Sequence, residues 1–465
     1  MPSVYVQLGK HTLGHQMALL SKLAYKLNLQ VLTTNCYETI HTWEPDCYKA
    51  ILDATPNGLY FSLRTYTIFY LITTLISKRD KLRDVNWARF CIDVIRSTTF
   101  LTMNMLLFQF FLCRLRHLLG FFTVPTMGWL SSTLASFFAI LIEKGSRRPP
   151  LALYTANLAS ETLFRQLYNH GYLFKVRYGE CIPFAIGIGL LMQQHTRGTL
   201  PPTFRKLLNF FFCSNPNEEV LNVKLLPDDL HAVLNDLRQN LGRTTRCEHQ
   251  HSCASVAIES FAKNFTVGMA ASILLALMKN LRKIILNPLL FLKVLTLKDN
   301  LRIPFFLGLL PFIFHAARCF LNRTTVSRSQ KEMNSIVAGV ASAASMMVYP
   351  NVTIAMYTMW KGIEVVYNSL VERGAISPIP YGDVILYTFS TGYVLWQTVI
   401  EPQAIRKGYL NFLDGITGNR IGTFNRDLYE HFGFQSKLLF PNAQPRLNTK
   451  YVTVNPMLYQ KIMPC

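Results

Sequence analysis

Acidic residues are scarce in this chain: 26 Asp and Glu stand against 47 Lys and Arg, and charged residues of both signs make up only 16% of its 465 positions. The resulting net charge of +21 is spread over many short connections rather than gathered into one basic patch, so a nucleic-acid partner is not expected. Motifs of catalysis are also missing. There is no Gly-rich phosphate loop, no nucleophile elbow, no His-Glu-x-x-His and no acid pair set in an aqueous cleft. That leaves no ground to expect an enzyme or a cofactor. The residues before Leu13 lack a basic stretch leading into an apolar one, so no signal peptide is expected and the mature chain should keep its N-terminus. Ten cysteines in a chain of this size do not make a disulfide scaffold. The final residues, Lys461 to Cys465, match neither a peroxisomal tripeptide nor a prenylation box.

What the chain has in quantity is apolar surface. Half of its residues are hydrophobic and the mean hydropathy is +0.20. Uncharged stretches cover residues 97–113, 117–142, 181–196, 264–278, 303–317, 333–360 and 384–400, most of them near the roughly 17–25 residues a helix needs to cross a bilayer. Two further segments, 57–77 and 150–168, each carry ionisable residues. Pro350-Asn351 is expected to break the longest run into two helices. None of the runs shows the period-2 alternation of a barrel strand. An all-α, polytopic helical membrane protein is therefore expected.

The chain is also written twice. Shifted by 203 positions without a gap, Ala152, Tyr154, Thr155, Glu161, Gly171, Tyr178 and Gly179 fall on Ala355, Tyr357, Thr358, Glu364, Gly374, Tyr381 and Gly382. This predicts two tandem repeats of four to five membrane segments each, a construction common among channels and transporters. The division along the chain is then residues 1–53 with a cysteine-rich motif, 54–196 as the first repeat, 197–253 as a polar linker, 254–401 as the second repeat, and 402–465 as a basic tail. Basic residues sit in the connections, among them Lys78, Arg79, Lys81, Arg83, Arg114, Arg116, Lys144, Arg147 and Arg148, where anionic lipid headgroups are the expected partners.

Four cysteines are placed suggestively. Cys36 and Cys47 flank His41 before the first segment of repeat one, and Cys247 and Cys253 flank His249 and His251 before the first segment of repeat two. A disulfide or thiol pair in each repeat, a metal site built from both half-sites, and unremarkable cysteines are all open, since the spacing fits no standard zinc module. Cys113, Cys181 and Cys319 read as packing residues inside apolar helices. Small residues at helical spacing, Gly128, Ser132 and Ser136 in one repeat and Ala338, Gly339, Ser342 and Ala343 in the other, predict close helix packing. Glu161 and Glu364, each inside an apolar segment, are candidates for an intramembrane polar site, with Arg165 and Lys361 close enough on the same helices to neutralise them.

The stretch Asn35-Cys36-Tyr-Glu-Thr-Ile-His41-Thr-Trp43-Glu-Pro45-Asp-Cys47 resembles the cysteine-rich signature of the transmembrane protein 135 family, also called peroxisomal membrane protein 52. Further similarity lies in Phe100 to Asn104, Ile140 to Arg148, Ala156 to Arg165, Ser345 to Tyr349, Thr353 to Tyr357 and Tyr451 to Pro456. The resemblance implies a multipass protein of peroxisomal and mitochondrial membranes, linked to peroxisome organisation, to mitochondrial fission through a dynamin-related GTPase, and to lipid homeostasis. It also implies a distant similarity to the channel subunits of mitochondrial inner-membrane import translocases. Two functions follow as expectations: a non-enzymatic membrane organiser, and a lipid or solute conduit using the interface between the repeats.

Overall fold

The computed structural model describes residues 30–77, 85–174, 176–212, 236, 238, 247, 249, 251–286, 301–323, 327–430, 432–443 and 445–453. The basic residues Lys78, Arg79, Lys81 and Arg83, and most of the linker, lie outside them. Among the described residues the chain is helical and has no β-strand, only an isolated bridge between Leu32 and Phe122.

The helices, in chain order, are α1 (Cys47–Ser77), α2 (Trp87–Leu119), α3 (Leu130–Ile142), α4 (Arg148–Asn169), α5 (Cys181–Arg197), α6 (Pro202–Phe212), α7 (Cys253–Leu286), α8 (Arg302–Asn322), α9 (Arg328–Ser342), α10 (Val352–Glu372), α11 (Gly382–Ile400) and α12 (Lys407–Ile416). Local chemistry sets their ends. The Asn86 side chain caps α2 by accepting from Arg89 N–H, and Gly120, at φ 83°, closes it in the left-handed conformation. Ser327 and Gln330 form a capping box that starts α9. The expected break at Pro350 is present: a 3-10 turn, Ala343–Met347, ends the preceding helix, and Asn351 caps α10. A strained turn precedes both α5 and α11, with Tyr178 at φ 60° and Tyr381 at φ 54°. Gly171 and Gly374, at φ 75° and 70°, sit seven residues before them, so both pairs of positive-φ residues are related by the 203-residue shift.

Among the described residues four segments are long and apolar enough to cross a membrane: Trp87–Leu119, Pro125–Ile142, Cys253–Met278 and Arg302–Asn322. The protein is a membrane protein. At 1.5 Å per residue α2 is about 50 Å long, well over the ~30 Å hydrocarbon thickness. Its uncharged stretch ends at Cys113, where Arg114 and Arg116 follow. In α8 the uncharged stretch ends just before Arg318 and Cys319.

Compact packing divides the chain in a way its order does not suggest. One unit is Met1–Phe174 with Ile379–Cys465, and the other is Lys175–Pro378. In the first, α11 packs on α3 and α4, while α2 packs on α1 and α3. In the second, α5 packs on α9 and α10, while α8 packs on α7 and α9. Each unit thus closes with a helix drawn from the other half of the chain. The small residues explain why: Ser132 Oγ donates to Gly392 O at 2.7 Å, and a Cβ on Gly128 would meet Trp396 at 2.8 Å, both joining α11 to the segment Pro125–Ile142. In the second unit a Cβ on Gly339 would meet Gly189 Cα at 3.3 Å, and Ala338, Ser342 and Ala343 are buried. Ser136 is fully buried on α3. Interhelical hydrogen bonds of this kind are worth about 0.6–2 kcal/mol. Ser132→Ala is accordingly expected to lower the thermal midpoint of the detergent-solubilised protein by roughly 2–4 °C, and an unchanged midpoint would count against the bond.

Candidate metal centres

Among the described residues two clusters of thiols and imidazole form, one in each unit. In the first, the segment before α1 makes a short helical turn, Cys36–Thr39, closed by a capping box between Asn35 and Glu38. The chain then bends so that His41 Nδ1 donates to Glu44 O at 2.6 Å. Cys47 opens α1, and Cys113 comes from the far end of α2. The ligand atoms of Cys36, His41, Cys47 and Cys113 all lie within 4.8 Å of one another. His41 is fully buried, and its Nε2 has no hydrogen-bond partner among the described residues.

The second unit repeats the arrangement. Cys253 opens α7, Cys319 comes from the end of α8, and Cys247 and His249 precede α7. The ligand atoms of these four also lie within 4.8 Å of one another. His249 Nδ1 donates to His251 O at 2.7 Å, which leaves Nε2 against Cys319 Sγ at 3.2 Å. Cys247 and Cys253 have their sulfurs 3.9 Å apart, far beyond the ~2.05 Å of a disulfide bond.

The structure brings together Cys36, His41 and Cys47 in one unit and Cys247, His249 and Cys253 in the other, so that each half-site lies in a cluster of its own unit. His251 enters through its carbonyl. Each unit completes its own set of four: Cys113 and Cys319 are buried in the core, as expected of packing residues, and the helix ends also place their thiols among the other donors. Cys181 does pack against the apolar core of the second unit. A signal for the missed pair was present. Cys47 to Cys113 and Cys253 to Cys319 are both separations of 66 residues.

Crowding three thiols and an imidazole redistributes their protons. Contact with Cys113 and Cys36 lowers the Cys47 thiol well below its ordinary range against the opposing effect of burial. Contact with Cys113 lowers Cys36, but contact with Cys47 and burial outweigh it and push Cys36 up to about 12. Burial lowers His41, yet the Cys47 sulfur beside it raises the ring on balance.

The candidate acids are satisfied locally. Glu161 is 1% exposed and meets Arg165 at 2.7 Å and Arg406 at 3.9 Å. Glu364, partly exposed, meets Lys361 at 2.5 Å. Glu161→Gln, which keeps the shape but removes the charge, is expected to cost about 1–2 kcal/mol of stability, and Glu364→Gln under about 0.5 kcal/mol. Equal losses for the two variants in thermal unfolding would contradict this difference in burial. Several connection arginines also bond internally: Arg116 donates to the Thr33 and Thr34 carbonyls at 2.7 Å, and Arg148 to Glu143 O at 3.1 Å. Sequence reasoning missed buried Glu259, which holds Arg238 through two 2.8 Å bonds, because its partner lies in the linker.

Residues 33–167 match the family model described as the N-terminal cysteine-rich region of Transmembrane protein 135. That match covers the whole of the first cluster and under a third of the chain. No solved structure matches the chain.

Proposed function

We propose that this chain, which belongs to the transmembrane protein 135 family, is a non-enzymatic multipass protein of peroxisomal and mitochondrial membranes, regulating peroxisome organisation, mitochondrial fission and lipid homeostasis. Its halves are two related sets of helices. Support comes from the family match and from one observation above all, the folding of the C-terminal tail onto the cysteine-rich segment. Thr453 donates from N and Oγ to Glu38 at 2.9 and 2.6 Å, Tyr429 OH donates to Thr39 O at 3.0 Å, and Thr42 Oγ donates to Thr423 O at 2.8 Å. Glu38, Thr39, Thr42 and Tyr429 are buried, so these bonds lock the tail to the segment, and the two present one joint, ordered surface beside the end of α2. A surface of this kind suits recruitment of a soluble partner such as a dynamin-related GTPase, with anionic lipid headgroups under the basic connections.

A second reading, a lipid or solute conduit, has a cavity in the first unit in its favour. It is lined by Leu101, Asn104, Phe108, Tyr387, Leu395 and Phe412, with Asn104 Nδ2 donating to Tyr387 OH at 3.1 Å. Its volume of about 80 Å³ is far below the roughly 300–1,000 Å³ of sites that enclose a small organic ligand, which favours the organiser. The test pairs two measurements. Loss of the protein from cells should change peroxisome number, mitochondrial length and stored lipid, while purified protein in vesicles should transfer neither lipid nor solute. Transfer by the purified protein would overturn the organiser in favour of the conduit.

A further inference from the structure

We propose that each unit binds one zinc ion in a closed, four-coordinate structural site, on Cys36, His41, Cys47 and Cys113 in the first and on Cys247, His249, Cys253 and Cys319 in the second. The donor set is the first argument. Three thiolates and one imidazole make one of the standard sets for structural zinc, and four protein ligands leave no open position for water or substrate. Hard cations such as magnesium and calcium prefer oxygen, so this set also excludes them.

Geometry is the second. Donors at 2.0–2.3 Å around a tetrahedral zinc ion stand about 3.3–3.8 Å from one another. In the second unit the Cys247–Cys253 sulfurs are 3.9 Å apart and His249 Nε2 is 3.2 Å from Cys319 Sγ. In both units all four donor atoms fall within 4.8 Å of one another. The tetrads are therefore already gathered at nearly the spacing the ion would impose.

The histidines supply the third argument, independent of distance between donors. Metal-bound imidazole uses one ring nitrogen and commonly donates the other to a carbonyl, which fixes the tautomer. His41 donates Nδ1–H to Glu44 O at 2.6 Å and His249 donates Nδ1–H to His251 O at 2.7 Å, each within three residues along the chain. Both rings thus turn Nε2, with its lone pair, into the thiol cluster. In the first unit that nitrogen is buried without a hydrogen-bond partner among the described residues, an arrangement that costs free energy until a ligand arrives.

The fourth is that two different sequence spacings reach the same result. In the first unit the cysteine and histidine ahead of the long helix are at 36 and 41, and in the second at 247 and 249, so the loops differ. The thiols at the start of one helix and the end of the next keep an identical separation. A ligand common to both units explains why donors converge through dissimilar loops. Each ion would tie the segment before a long helix to the end of the following one, at the boundary where the uncharged stretch of α2 or α8 stops.

The test is metal analysis of the full chain, purified in detergent without added metal or chelator. Two zinc ions per chain are expected, falling to one in Cys47→Ser or Cys253→Ser and to near zero in the double variant. Cys91→Ser and Cys181→Ser, outside both tetrads, should keep two. Because a serine variant could lose zinc merely by unfolding, His41→Cys serves as the counterpart to His41→Ala. A four-thiolate site still binds zinc, so the first should retain two ions and the second one. Cobalt exchanged into the wild-type protein should give the intense visible bands of tetrahedral thiolate coordination. Fewer than one zinc per chain in the wild type, retention of both ions by the Cys47/Cys253 double variant, or non-reduced peptide mapping that finds Cys36–Cys47 and Cys247–Cys253 disulfides would each overturn the proposal.

Discussion

Replacing Arg426 by leucine is expected to cost about 3–5 kcal/mol and to detach the tail from the first unit. Arg426 is fully buried and has no carboxylate among its described hydrogen-bond partners. Instead its guanidinium donates to Val399 O at 3.1 Å, Ser436 Oγ at 2.8 Å and Ile421 O at 2.8 Å, and lies 4.6 Å from the Phe440 ring centre. Burial lowers its pKa to about 10, which still leaves it charged at neutral pH. Leucine would fill much of the volume but strand the Ile421 carbonyl in a dry interior and leave Ser436 Oγ and Val399 O only the 3.3 Å bond between them, each lost partner costing about 1–3 kcal/mol. Lysine should recover little, because a point charge cannot reach acceptors arranged around a planar fork. Thermal unfolding of detergent-solubilised protein reads the effect, and limited proteolysis should show cleavage after residue 402 in the variant. A loss below about 1 kcal/mol would mean the arginine is not the tail's anchor.

Gly187→Leu should be comparably severe in the second unit, at about 3 kcal/mol or more. A Cβ at Gly187 would stand 2.5 Å from Met359 N and from the Thr358 carbonyl, and one at Gly362 would stand 2.9 Å from Gly187 O. The obstacle is backbone, so no side-chain rotation can relieve it. α5 and α10 must separate to admit the substitution, and that releases Ile188, Leu191 and Ala355 from the core they share. Gly145→Ala, where nothing lies within 4 Å of the added carbon, is the matched control and should stay within about 0.5 kcal/mol of wild type.

Much of this was legible in the sequence because the bilayer demands long uncharged helices, and such runs are conspicuous. The break at Pro350 followed from proline chemistry, and the close contacts of Gly128, Ser132 and Gly339 from small residues at helical spacing. The pairing of Glu161 with Arg165 was visible because the two are four residues apart on one helix. Its second partner, Arg406, was not, since nothing local links a helix to a tail some 240 positions away. Cys113 and Cys319 were hidden by their surroundings. A single thiol in an apolar helix is usually filler, and only the equal separation from Cys47 and Cys253 distinguishes them. Likeness between two helices also says nothing of which neighbours they choose, so the packing of α5 with α9 and α10, and of α11 with α3 and α4, had no signature.

That packing imposes a schedule on synthesis. The second unit, Lys175–Pro378, is complete as soon as its own stretch has left the ribosome. The first waits. Its opening stretch ends at Phe174 and its remainder begins at Ile379, so α3 and α4 must stand without α11 while the intervening residues are made, roughly 10–40 s at ordinary elongation rates. During that interval the faces of Ser132 and Gly128 have no permanent occupant, and a neighbouring nascent chain or a membrane chaperone could hold them. A stop codon just after Pro378 would make the wait permanent, leaving a finished second unit joined to a first unit that can never close.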